Sequence, residues 1–292
     1  MILFGPSGNS ELFYQQGYKS SLQMPTWLKE MGLDAYEYSC TRGVRVGMET
    51  ASKLGAIAKE NCIKLSVHAP YFINLASTEQ DKIKKSETYI MDTVEAAEYL
   101  LADRVVVHVG SPSKADRKEA FNRAYKNLYY IVEKLKEKNT SVHLCPETMG
   151  KKNQLGSLDE VLELCGIDES LIPTIDFGHL HAVGNGALNT KDDFKRIFER
   201  ILEKLGDKRG RLLHMHYSRI EYTEKGGEKK HWTYNDIQYG PGFEYLAQCL
   251  AEYKINGTII AETAGTMAED AVKLKSIYSK IKDDCLFTLE NI

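Results

Sequence analysis

At 292 residues, with 42% hydrophobic and 27% charged residues, the chain can bury a full core, and its even segment spacing points to one domain over residues 1–292. A net charge of −3 excludes a globally basic nucleic-acid binder and leaves room only for a local positive cleft. The six cysteines form no CxxC pair, which argues for reduced thiols in an intracellular protein. The opening MILFGPSGNSE has no basic segment followed by a long apolar one, and no apolar stretch nears the ~18 residues of a membrane span, so a soluble, cytoplasmic protein is expected.

Short β-branched or aromatic runs alternate with helical patterns along the whole chain. Strands are predicted at 2–5, 35–39, 64–68, 104–109, 141–147, 172–176, 211–216 and 258–262, and the clearest helices at 79–101, 115–138, 191–205 and 268–281. Eight such alternations predict an α/β fold, a (β/α)8 TIM barrel. A doubly wound sheet would alternate too, but it places its ligand at one switch point, often on a glycine-rich phosphate loop, and neither GxGxxG nor GxxxxGK occurs. Residues 217–240, long, polar and containing Gly226-Gly227, break the rhythm and are expected to form a functional loop.

His68, His108, Glu147, Asp176, His214 and Glu262 each close a predicted strand, at intervals of 29 to 48 residues. The carboxyl ends of barrel strands form one open mouth, so these groups are expected to converge there. A single histidine at a strand end is usually structural; six ligand-type residues repeating with the strands are not. Imidazole with carboxylate, and no thiolate, suits a borderline divalent cation such as Zn2+, with Mn2+ or Fe2+ possible, and the three acids can bridge two ions. Asp176-Phe177-Gly178-His179 adds a further candidate three residues on. In RLLHMHYS, His214 and His216 share a strand face, so either can be the ligand and the other its hydrogen-bond partner.

The segments SVHAPYFINLAS, VVVHVGSP, CPETMGKKNQLGSLDE, TIDFGHLHAVG, LLHMHYSR, Lys229-Lys230-His231 and IIAETAG together resemble, in order and spacing, the motifs of the endonuclease IV family of apurinic/apyrimidinic endonucleases. The resemblance covers about two thirds of the chain, residues 64–270. It implies a barrel holding a zinc cluster, with His68 and His108 on one ion and Glu147 bridging to a second. Asp176, His214 and Glu262 would complete the second site, and His179 and His231 would bind a third ion. It favours His214 over His216, because Ser218-Arg219 then falls where the family has a small residue followed by a basic one. The implied activity is hydrolysis of the DNA backbone 5′ to abasic sites in base excision repair, by a monomer acting on double-stranded DNA. Glu147 and Glu262 would position and deprotonate the attacking water. Tyr71 matches an aromatic inserted at the lesion, and Arg42 and Arg45 match polar and basic contacts on the loop after the second strand.

Two positions depart from that pattern. FGPSG lacks the histidine of the family's first strand, and Lys229 stands where the family has the aspartate of an Asp-x-His pair. An ammonium repels a cation. Either Glu228 or Asp236 substitutes, the third ion binds weakly, or only two ions are held. The alternative is a sugar isomerase or epimerase of the xylose-isomerase-like barrels with one or two divalent metals. His179 and His231 argue for the nuclease; Lys229 leans the other way.

Overall fold

The computed structural model describes residues 1–289. The strands are β1 (Ile2–Pro6), β2 (Ala35–Ser39), β3 (Lys64–His68), β4 (Arg104–Val107), β5 (His143–Pro146), β6 (Thr174–Asp176), β7 (Leu212–Tyr217), β8 (Arg219–Thr223), β9 (Gly227–Trp232) and β10 (Asn256–Ala261). All but β8 and β9 are parallel and form two four-stranded sheets, ordered β1-β10-β7-β6 and β2-β3-β4-β5. At each seam between the sheets a single parallel bridge closes the ring, Ser7 to Glu37 on one side and Glu147 to Thr174 on the other. The predicted (β/α)8 barrel is the observed fold. Gly5 is required at the first seam, since a Cβ there would stand 1.9 Å from the Ala35 carbonyl oxygen.

The helices lie outside the ring: α1 (Glu11–Gln15), α2 (Met24–Glu30), α3 (Met48–Glu60), α4 (Gln80–Tyr99), α5 (Arg117–Glu137), α6 (Leu158–Cys165), α7 (Phe177–Val183), α8 (Lys191–Gly210), α9 (Phe243–Glu252) and α10 (Met267–Leu289). Several starts are fixed locally. Asp116 accepts from the backbone N–H groups of Lys118 and Glu119, and Ser157 with Glu160 and Thr190 with Asp193 form capping boxes. The predicted end of the third helix, at residue 205, marks a real break: Gly206 is non-helical with φ 75° before α8 resumes. Inward helical residues such as Ile90, Val94, Leu128, Ile131, Phe194 and Phe198 pack with strand residues such as Leu65, Val105 and Leu213 into the main core.

Inside the ring the chemistry is different. Hydrogen bonds cross from β2 to β7, through Glu37 and His214, and from β4 to β7, through Arg104 and the Leu213 carbonyl. Ser66, Glu37, Arg104, His214 and His216 are all buried there, where many barrels stack branched aliphatic layers.

The expected loop at 217–240 contains an antiparallel hairpin, β8 with β9. RIEYT and GEKKHW expose polar groups on both faces, so the apolar alternation that announces a strand is absent. Gly227, at φ 79°, supplies the left-handed backbone where the chain turns back. Cys40, Cys62, Cys145, Cys165 and Cys249 are free thiols, while the Cys285 side chain lies outside the described residues. Among the described residues no helix is long and apolar enough to cross a membrane.

Candidate metal centre

Four groups of ligand-type side chains meet in the barrel, three at its mouth and one, Glu37 with His214 and His216, deeper, and within each group the ligand atoms lie within 4.8 Å of one another. The first is His68 at the end of β3, His108 just past β4 and Glu147 just past β5. His68 Nε2 and His108 Nε2 lie 3.4 and 2.9 Å from Glu147 Oε2. The Ala69 carbonyl, which can only accept, is 2.8 Å from His68 Nδ1, so a proton sits there and Nε2 is the nitrogen turned to Glu147 and the site.

The second group is Glu147, Asp176, His216 and Glu262. His216 Nδ1 is 2.9 Å from Glu147 Oε1 and 3.5 Å from Glu262 Oε1. Asp176 ends β6 and caps α7, accepting the His179 backbone N–H at 2.7 Å through Oδ1. The structure thus brings His216, and not the expected His214, into this group. Strand register is the reason: His216 pairs level with Asp176, whereas His214 pairs with Thr174, one inward-facing layer deeper. His214 instead donates through Nε2 to Glu37 Oε2 at 2.9 Å.

The third group is His179, Glu228 and His231. Glu228 places Oε2 3.5 Å from His179 Nε2 and Oε1 3.5 Å from His231 Nε2. The His179 ring is oriented by the Thr148 carbonyl, 2.8 Å from Nδ1, and His231 by Ser218 Oγ, 2.9 Å from Nδ1. Lys229 points away and pairs with Glu221. Asp236, the other proposed substitute, is occupied by the backbone N–H and hydroxyl of Thr233. Gly150 makes the group possible, since a Cβ there would meet His179 Cδ2 at 2.7 Å and Glu228 Cβ at 2.8 Å.

The electrostatics of these residues suit cations. Burial alone would raise Glu147, yet the charge of His216 and the bond from His108 hold it well below the usual carboxylate range. Burial likewise opposes protonation of His68 and His231, but Glu147 draws the first up to about 9 and Glu228, with Glu262 and Asp176, draws the second up to about 9. Against its burial, Glu228 is held at about 2 by His231 and His179. Asp176 is pushed up by burial and by the like charges of Glu262 and Glu147. Glu147 Oε2 and Asp176 Oδ2 are buried and receive no directed hydrogen bond. Acceptor oxygens left so, among imidazoles that would give up a proton to a bound cation, form a candidate donor set for a divalent cation, and the nitrogen–oxygen composition fits Zn2+.

A cleft of about 290 Å³ opens above the groups, lined by Tyr71, Thr41, Lys151 and Gln154 together with all the ligand-type residues of the mouth except Asp176 and His216. Tyr71 is exposed at its rim. Arg42 and Arg45 are exposed on the segment after β2, next to Thr41. Glu37 escapes a search of strand ends because it lies mid-strand, although a lone carboxylate in AYEYS is itself a signal.

A closed parallel barrel with imidazole–carboxylate groups at the carboxyl ends of its strands defines the class of metal-site (β/α)8 barrels. The xylose isomerase-like TIM barrel family model matches residues 25–277, and the chain belongs to that family. It is 33% identical over 224 residues to the probable endonuclease 4 of Carboxydothermus hydrogenoformans, covering 74% of this chain and 76% of that one. An uncharacterized protein of Methanocaldococcus jannaschii is 32% identical over 254 residues, 87% of this chain and 90% of the relative. Among solved structures, endonuclease IV from Thermus thermophilus matches with a TM-score of 0.68 at 17% identity, over 97% of this chain and 99% of that one. A D-tagatose 3-epimerase-like protein matches with a TM-score of 0.69 at 22% identity, over 97% and 99%. These structural likenesses establish a shared fold, and endonuclease 4 proteins stand among the relatives in sequence.

Proposed function

We propose that the chain is a zinc-dependent endonuclease that cleaves the DNA backbone 5′ to abasic sites. The observation that carries this reading is the third ligand group, His179, Glu228 and His231, beside the two that share Glu147. A sugar isomerase or epimerase needs one or two cations; a third is of use where a phosphodiester's leaving oxygen must be stabilised. The relatives described as probable endonuclease 4 support the same conclusion.

In this reading His68, His108 and Glu147 hold one cation, Glu147, Asp176, His216 and Glu262 a second, and His179, Glu228 and His231 a third. When bound, such cations supply Lewis acidity to a phosphate and a nucleophile at neutral pH. Glu262, with 17% of its side chain exposed at the mouth, takes a proton from the attacking water, and the buried Glu147 fixes its direction. Tyr71 fills the gap left by the missing base, while Lys151, Arg42 and Arg45 meet phosphates. Extruding a nucleotide costs a few kcal/mol, least where the base is already gone, which favours abasic duplexes.

The epimerase reading keeps one support, the equally good structural match to the D-tagatose 3-epimerase-like protein. One assay separates the two. The zinc-loaded protein is offered a duplex with one defined abasic site and, in parallel, a panel of ketohexoses. Nicking 5′ to the lesion with no sugar turnover is expected; sugar epimerisation with an intact duplex would reverse the conclusion.

A further inference from the structure

The polar interior beneath the ligand groups has a direction built into it. Arg104 Nη1 lies 3.5 Å from His214 Nδ1 and donates to the Leu213 carbonyl at 2.9 Å. A guanidinium has only donors, so His214 Nδ1 must be the unprotonated nitrogen, and its proton sits on Nε2. That Nε2–H donates to Glu37 Oε2 at 2.9 Å, where the Ser66 hydroxyl also donates at 2.8 Å. The other oxygen, Glu37 Oε1, lies 3.0 Å from His216 Nε2. Their approach is off the line of a hydrogen bond and neither atom has any other hydrogen-bond partner among the described residues, while the opposite nitrogen, His216 Nδ1, is bonded to Glu147 Oε1 at 2.9 Å. All four of Glu37, His214, His216 and Ser66 are buried, away from bulk solvent.

We infer that Glu37 is a positioning residue that fixes the ring tautomer of His216, and through it decides whether that imidazole can hold a cation. When a cation takes the place of the Nδ1–Glu147 bond, Nδ1 must present a lone pair toward Glu147, Asp176 and Glu262, and the one remaining His216 proton must reside on Nε2. There it needs an acceptor, and Glu37 Oε1 is the one within reach. The order runs Arg104, His214, Glu37, His216, ligand group: Arg104 donates to His214, His214 donates to Glu37, and the free oxygen of Glu37 faces His216. The inference rests on the reading of these residues as a metal centre.

This order makes Glu37→Gln informative. The substitution replaces two acceptor oxygens by one carbonyl and one NH2. His214, constrained by Arg104, must keep Nε2–H, so the carbonyl takes the Oε2 position and the NH2 faces His216 Nε2. Two donors cannot share that space, and His216 moves its proton to Nδ1, the nitrogen turned toward the ligand group. Outer partners of ligating histidines are worth about 10- to 100-fold in metal affinity.

The test uses Zn2+ and the whole chain. In the zinc-loaded native protein, ring nitrogen NMR is expected to show His216 protonated at Nε2 and bound through Nδ1; a His216 bound through Nε2 overturns the inference without recourse to any variant. Chelator competition on Glu37→Gln is expected to show at least one Zn2+ held about 10-fold more weakly, while the fold, followed by thermal unfolding, is kept. Native affinity in that variant overturns the inference and leaves the metal centre standing. A native chain that takes up no Zn2+ overturns both.

Discussion

Glu228 Oε1 lies 3.5 Å from His231 Nε2, although the two are three residues apart on one strand and would face opposite ways in a regular one. The register explains it. Glu221 pairs with Lys230 and Tyr222 with Glu228, so Lys229 is an extra residue bulged out of β9, and the bulge returns Glu228 to the face of His231. A spacing of three with one bulge does the work of a spacing of two.

The identity of residue 229 should therefore matter little to metal content. Lys229→Asp is expected to leave Zn2+ stoichiometry unchanged, and Glu228→Ala to lower it by about one ion per chain. Metal analysis of the purified proteins decides; a gain in Lys229→Asp would show that the third group is incomplete without an acid there.

Gly150→Ala tests the same group from the other side. With Cβ contacts of 2.7 Å to His179 and 2.8 Å to Glu228, the two ligands must separate. Loss of the third ion and a fall in turnover of about 10-fold or more are expected, since small displacements of a catalytic group are costly. Unchanged metal content and turnover would mean that the group tolerates the shift.

His214 and His216 should behave as opposites. His216→Ala is expected to remove the second cation, with little turnover left. His214→Ala should keep the metal and cost stability, about 1–3 kcal/mol for a buried partner lost from Glu37. Denaturant unfolding beside metal analysis separates the two; metal loss in His214→Ala with metal kept in His216→Ala would restore the assignment favoured by sequence.

Chelation should lower the thermal midpoint. A ligand that binds only the folded state stabilises it by about 2.7 kcal/mol at a hundred times its Kd, so removing cations from buried Glu147 and Asp176 is expected to cost several degrees, recovered on adding Zn2+. Identical melts with and without chelator would argue against a loaded centre.

The sequence carries the barrel because strands and helices alternate with different hydrophobic periods, and it carries His68, His108, Glu147, Asp176 and Glu262 because strand ends are where a barrel opens. What it hides has physical causes. Period-2 alternation puts His214 and His216 on one face, and only register against β6 tells which is level with Asp176. Glu37 acts from the middle of β2, below the mouth. Glu228 and Asp236 are both legible as candidate partners of His231, and only the bulge in β9, which leaves no mark in composition, tells that Glu228 is the one beside it.

The two seams give the mouth a mechanical meaning. His68, His108 and Glu147 belong to the half-barrel of β2 to β5, and Asp176, His216 and Glu262 to the half containing β6, β7 and β10. Ladder pairing between the halves is one bridge on each side, at Glu37 and at Glu147, with a further backbone bond from Asp34 to Phe4 at one seam and from Ile172 to Leu144 at the other. A cation held by Glu147 together with Asp176 and His216 is a rivet across that joint. Amide exchange around Thr174 and Glu147 should then slow when the rivet is in place, while the helices on the far rim exchange as before.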